Sequence, residues 1–193
     1  MDTSKTALIS VFNKKNIVAF AKTLQALGYK IIATEGTGKE LEKQNIDYQL
    51  AEEISKNPSG LESCIKTISF NIQAGILFDR LNPLHLNRIK DLKIEKIDLV
   101  VCNFVSLDQA VKSILDFNIS NVDVGGPLMV RAAATNFKHV LIVIDPDDYQ
   151  RVGEALYQNL VNDKLRQSLA AKAFAYTAKY DEELKEFLLM TGV

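Results

Sequence analysis

Tryptophan is missing from this sequence, and cysteine and histidine occur only twice each. Cys64 and Cys102 stand far apart without CxxC spacing, which argues against a disulfide framework or a zinc ribbon and for a reducing compartment. His85 and His139 have no Cys, Asp or Glu at ligand spacing, so no metal site is expected. A charge of one sign is lacking too. The 23 basic and 24 acidic residues leave a formal net charge of −1, so no global field draws the chain to nucleic acid or to an anionic membrane. An anionic ligand must therefore be held by a local site. No apolar run approaches the roughly 20 residues of a membrane span. Met1 to Lys5 is not a basic region leading into an apolar one, as a secretory leader would be. The expectation is a cytoplasmic protein with neither nucleic-acid nor membrane partners.

What is present is the mixture of an ordinary soluble globular protein, 47% hydrophobic and 24% charged. Ala7 to Val11 reads as a buried parallel strand. Ile17, Phe20, Ala21, Leu24 and Leu27 follow at helical spacing, with Gly28 where a helix ends. Tyr29 to Thr34 reads as a second strand, and Gly36-Thr37-Gly38 opens a polar helix reaching about Gln44. Strand, helix, strand, turn, helix is the start of a parallel sheet with right-handed crossovers. Residues 51–70 lack periodicity and read as irregular, with helices expected over Ile72 to Asp79 and from about Leu84. Ile97 to Cys102 is the most convincing central strand, and Leu107, Ala110, Val111, Ile114 and Leu115 form a helical stripe. Pro127 sits at the first turn of a helix running to about Asn136. Val140 to Ile144 is another buried strand, with Asp145-Pro146 starting the helix after it. The stretch from Lys164 to Met190 has neither proline nor glycine and reads as helix. The aromatics Phe174, Tyr176 and Tyr180 fall at helical spacing there, as packing residues do. One domain spans residues 1–193, with a core over about 6–160 and a helical tail over about 164–190.

Three stretches carry a family resemblance. They are Ala7 to Val11 with Lys14 and Gly36-Thr37-Gly38-Lys39; Ile97 to Asn103 with Val122-Asp123-Val124-Gly125-Gly126-Pro127 and Arg131 to Asn136; and Asp145 to Tyr149 with Leu169 to Phe174 and Thr177 to Asp181. In order and spacing, from about residue 6 to residue 182, they resemble the IMP cyclohydrolase module of the bifunctional purine-synthesis enzyme. The resemblance implies a methylglyoxal-synthase-like, doubly wound parallel sheet and a homodimer. It also implies a purine ribonucleotide partner and ring closure of formyl-AICAR to IMP and water without metal or redox cofactor.

Ser10 and Lys14 at one strand end, and Thr34, Gly36 and Thr37 at the next, then stand at the edge of the sheet where ligands bind. Hydroxyls, backbone N–H groups and a helix N-terminus suit a phosphate. Read without the family, the same residues are two ordinary capped βα loops. The family is neutral where this chain has Glu35; a carboxylate turned toward a phosphate costs about 1 kcal/mol or more at close range, whereas one turned to solvent costs nothing. By resemblance Lys66 and Thr67 hold the phosphate or orient the amide, and Lys66, Asp123 and Asn103 are the catalytic candidates. Gly126 and Arg131 complete the substrate set. From the residues alone, Asp123 is equally a turn aspartate bonding its own backbone, Asn103 a loop anchor, and Arg131 half of an ion pair. Several family positions have changed type. An arginine is Cys64, histidines are Ser69, Gln73 and Phe137, a tyrosine is Val105 and a lysine is Thr135. Each lost acid or base lowers a rate by roughly 10²–10⁴-fold, so the expectation is weak or absent turnover. The alternative is a relative that binds a purine nucleotide without converting it.

Overall fold

The computed structural model describes residues 5–57, 65, 67–104 and 122–191. Lys66, Cys64, Val105 and the Leu107–Leu115 stripe lie outside them. Five strands form one parallel sheet: β1 (Lys5–Val11), β2 (Tyr29–Ala33), β3 (Gln49–Leu50), β4 (Leu99–Asn103) and β5 (Leu141–Val143). Their order is β3-β2-β1-β4-β5. The chain winds outward from β1 through β2 to β3, then restarts on the other side of β1 with β4 and continues to β5. This is the doubly wound arrangement, and the winding reverses between β1 and β4. There Ser10 pairs in register with Cys102 and Val11 with Asn103.

Flanking the sheet are α1 (Ile17–Ala26), α2 (Glu35–Glu42), α3 (Ala51–Ser55), α4 (Phe70–Leu77), α5 (Pro83–Asp91), α6 (Gly125–Thr135), α7 (Tyr149–Tyr157) and α8 (Asp163–Thr191). Helix α1 lies on β2 and α7, while α6 lies on β4 with α4 and α8 beside it. Strands β1 and β4 bury both faces, since Ala7, Leu8, Ile9, Leu99, Val100 and Val101 are all fully buried. That is why they read as continuous apolar runs instead of alternating ones. The α1 stripe is amphipathic, and its Ile17, Phe20, Ala21 and Leu24 are the buried residues. Gly28 follows this helix at φ +79° and donates its N–H to the Gln25 carbonyl, a left-handed termination that a side chain would strain.

Three boundaries differ from the sequence expectation. The segment expected to be irregular from residue 51 opens with α3, preceded by the two-residue β3; elements this short leave no periodicity to read. Helix α6 begins at Gly125, two residues before Pro127, which still falls in the first turn where its missing N–H is no loss. After β5, a 3-10 turn over Pro146–Asp148 precedes α7, and the Asp145 side chain accepts from Asp147 N–H. Among the described residues no helix is long and apolar enough to cross a membrane.

Candidate functional site

In an open parallel sheet, ligands bind at the carboxyl edge where the winding reverses. Here that point is the gap between the ends of β1 and β4, and Asn103 spans it. Its Oδ1 accepts from Phe12 N–H at 2.8 Å and from Asn13 N–H at 2.7 Å. Only 7% of the residue is exposed. Of the two readings of Asn103, the geometry displays the loop anchor.

On the β2 side, four candidates converge. Thr34 Oγ1 donates to Ser10 Oγ at 3.2 Å, joining the ends of β1 and β2. Thr37 Oγ1 accepts from Val11 N–H at 3.0 Å and is buried. The Lys14 ammonium turns back to donate to the Val11 and Phe12 carbonyls. Thr34 is the N-cap of α2 but makes no side-chain cap to its first turn. Helical geometry leaves the leading N–H groups without intrahelical acceptors, and Gly36 has nothing within 4 Å of where a Cβ would stand. Thr37 and Gly38 N–H donate to the Thr34 carbonyl, and the positive end of the α2 dipole lies beside the Ser10 and Thr34 hydroxyls, a suitable place for an oxyanion. Glu35 does not face it alone: its carboxylate pairs with Lys39 at 2.7 Å on the exposed side of α2.

The second group surrounds the start of α6. Asp123 Oδ1 accepts from Gly126 N–H at 2.8 Å, as an aspartate before a Gly-Gly turn is expected to. Thr67 is buried, and its Oγ1 would lie 2.5 Å from a Cβ on Gly125. Only glycine permits that approach. The Thr67 carbonyl receives Gln73 Nε2 at 3.5 Å, while Gln73 Oε1 is buried with no partner among the described residues. Ser69 caps α4 by accepting from Ile72 N–H, so the position that departs from the family pattern has a structural use. Phe137 packs against the core and Thr135 closes α6 in solvent. Arg131 is exposed and forms no ion pair among the described residues.

The tail aromatics do more than pack, because their hydroxyls hold the carboxyl edge. Tyr176 Oη accepts from Phe104 N–H at 3.1 Å and donates to the Phe104 carbonyl at 2.7 Å. Tyr180 Oη accepts from Asp123 N–H at 2.9 Å. The Phe104 ring lies 4.5 Å from the Tyr176 ring and 4.8 Å from that of Tyr180. Burial, the largest cause in each, pushes both phenols above their ordinary value, so they stay protonated hydrogen-bonding groups at neutral pH. Lys172, one turn earlier, bonds Asp145 at 2.6 Å and Asp148 at 2.7 Å. Residues 172, 176 and 180 fall at i, i+4 and i+8, one helical face; that spacing was the available signal. This face and the ends of β1, β4 and β5 enclose a cleft of about 470 Å³ that includes Asn13, Asn103, Tyr176 and Lys179. Its size is that of a small-molecule site. A larger groove between α1 and α7, about 650 Å³, contains none of the candidate residues. Among the described residues no group of three or more His, Cys, Asp or Glu could hold a metal ion.

A five-stranded parallel sheet with this order, and with its polar residues gathered at the winding reversal, places the chain among the doubly wound α/β proteins. Residues 16–128 match the family described as the MGS-like domain, and the chain belongs to it. Residues 133–192 match the family described as AICARFT/IMPCHase bienzyme. Over 186 residues, 95% of its length, the chain is 39% identical to the bifunctional purine biosynthesis protein PurH of Staphylococcus aureus, in strains Newman and USA300 alike. It spans 38% of the length of those relatives. The crystal structure of ForH superposes with a TM-score of 0.89 at 33% identity, covering 96% of this chain and 100% of that one. The similarity thus extends over both the sheet and α8, and it matches the IMP cyclohydrolase module of the bifunctional enzyme.

Proposed function

We propose that the chain is an IMP cyclohydrolase-like protein of purine nucleotide biosynthesis, with turnover slower than that of relatives retaining the full acid–base set. The observation that carries the reading is the oxyanion-ready start of α2, set beside Ser10 and Thr34 at the winding reversal, in a chain 39% identical to PurH over nearly its whole length. The substrate phosphate sits at the positive end of the α2 dipole, with Gly36 allowing close approach and the Ser10 and Thr34 hydroxyls turned to it. Thr37 supports this indirectly by fixing Val11. Lys14 exchanges its carbonyl partners for the phosphate, and Thr67, Gly126 and Arg131 line the remainder. The purine ring lies toward Asn103.

Ring closure forms a bond from the carboxamide nitrogen to the formyl carbon and expels the formyl oxygen as water. The carboxamide nitrogen and the formamide nitrogen each lose one proton and the departing oxygen gains two, so no oxidant or reductant is required. Asp123 is assigned as the base, using the oxygen not bonded to Gly126 N–H, and Lys66 as the group orienting the amide. The protein is assigned to the cytoplasm as a homodimer; the buried, unpaired Cys102 thiol fits that compartment.

An assay following IMP formation from formyl-AICAR tests this. Slow turnover, reduced a further roughly 10²-fold or more by Asp123→Asn, is the expected result. Introducing Thr135→Lys and Phe137→His together should raise the rate. A second reading, nucleotide binding without conversion, is favoured by one observation: Asp123 and Asn103 both spend hydrogen-bonding capacity on backbone amides. IMP binding by calorimetry with no detectable turnover would select it. Sedimentation analysis tests the dimer.

A further inference from the structure

The opposite, amino edge of the sheet gathers a second polar cluster. Lys5 opens β1 and Tyr29 opens β2, while Asp98 and His139 come just before β4 and β5. Arg80, from the loop after α4, and Arg166, from the first turn of α8, complete the wall of a cavity of about 280 Å³. Three permanent cations thus share one lining carboxylate, and that carboxylate already has three partners. Asp98 Oδ1 takes Arg80 Nη1 and, at 3.2 Å, the Lys96 ammonium, and its Oδ2 accepts from Thr6 N–H at 3.0 Å.

The donors, by contrast, are in surplus. Arg80 Nη2 reaches the Ile97 carbonyl, but its Nε is buried with no partner among the described residues. The Arg166 guanidinium makes one long bond, 3.4 Å to the Phe137 carbonyl. Lys5 lies 5.7 Å from the centre of the Tyr29 ring. Burial, the largest cause, holds Arg166 below its ordinary value; Tyr29, and more weakly Asp163 and Asp98, oppose this, and the neighbouring Arg80 charge adds to it. Asp79 faces His139 at 3.6 Å and is outside the cavity lining, as is Asp163. Two guanidiniums lining one cavity, partly out of water and short of acceptors, are a place where an added anion lowers the energy.

We infer that this cavity is an oxyanion site for a single phosphate group, free or carried on a small ester. A dianion matches the surplus of cations over Asp98, and a tetrahedral group offers acceptors in several directions to the two guanidinium forks and the Lys5 ammonium. The cavity lies at the lower limit of volumes that hold drug-sized ligands, which favours a phosphate-sized group over a nucleotide. It lies across the sheet from the candidate nucleotide site and does not depend on that assignment.

Because both edges are proposed to attract phosphate, the test uses a local signal: the arginine Nε–H resonances of ¹⁵N-labelled protein, titrated with inorganic phosphate and, separately, with glycerol 2-phosphate. Saturable shifts of the Arg80 and Arg166 signals are expected. Which probe binds more tightly tells free from esterified phosphate. Arg166→Gln should weaken the Arg80 response by roughly tenfold, the loss of one charge-assisted pair, without altering binding at the carboxyl edge. If that variant does not fold, Lys5→Gln, at the exposed start of β1, tests the same surplus. Shifts that are absent, or that chloride reproduces at equal ionic strength, would overturn the assignment.

Discussion

Asn103 joins the two halves of the carboxyl edge through one side-chain oxygen. Phe12 N–H also reaches the Asn103 backbone carbonyl, at 3.0 Å, so the residue fastens β4 to the turn after β1 twice over. Asn103→Ala leaves the Asn13 amide without its acceptor and Phe12 N–H with the backbone carbonyl alone, in a nearly buried position, and should lower unfolding free energy by roughly 1–3 kcal/mol, measured by urea denaturation. Tyr180→Phe removes a single bond, to Asp123 N–H, and should cost about 1 kcal/mol. If Asp123 acts as proposed, that variant also loosens the carboxylate and lowers kcat more than it changes KM. Much at this scale was not legible from residue types. Thr37 and Asn103 were found as polar residues at strand ends, yet whether each faces ligand or backbone depends on which loop lies opposite, and sequence spacing does not supply that. Tyr176 and Tyr180 were visible only as a stripe, because the groups their hydroxyls meet are 72 and 57 residues away.

Among the elements, the legible ones share a physical cause. Strands β1, β4 and β5 are buried on both faces and therefore carry uninterrupted apolar runs, and α1 has one apolar face and a glycine stop. Illegible were β3 and α3, which are too short for a period, and the true start of α6, where Gly125 and Gly126 rather than an obvious cap begin the turn. Close approach explains those glycines. Gly125→Ala would press a methyl group onto Thr67 Oγ1 at 2.5 Å, so either the 67–69 segment or α6 must shift. An expected cost of about 1–3 kcal/mol is checked by thermal unfolding. The same displacement should weaken nucleotide binding beyond what the stability loss alone would cause, measured by calorimetry well below the melting point.

Across the whole molecule, the cluster of Lys172 with Asp145 and Asp148 ties α8 to the turn after β5. The Lys172 hydrogen bond, then the Asp147 backbone N–H, holds Asp145 below its ordinary value of 3.8. Burial pulls Lys172 down, but the two carboxylates outweigh it and raise the ammonium above its ordinary 10.5. For the depressed carboxylate, the stabilisation is present above its ordinary pKa and disappears as pH falls through the lowered one. For the raised ammonium, it is present below the ordinary value and disappears as pH rises through the higher one. Lys172→Met should therefore cost a nearly constant amount between about pH 5 and pH 9, with the gap to wild type narrowing in acid below about pH 4. Denaturation midpoints across that range check it. Since Lys172 is 40% exposed, the constant amount is about 1 kcal/mol or less.

The two tyrosine bonds also have a consequence in time. During synthesis the sheet strands and the start of α6 leave the ribosome well before residues 176 and 180 do. Until then Phe104 and Asp123 lack the hydroxyls that hold them, and the carboxyl edge has its strands but not its shape. Assembly of the site is thus tied to the arrival and docking of α8, which makes that helix a checkpoint: a nascent chain too short to form it has its sheet and an unfinished pocket.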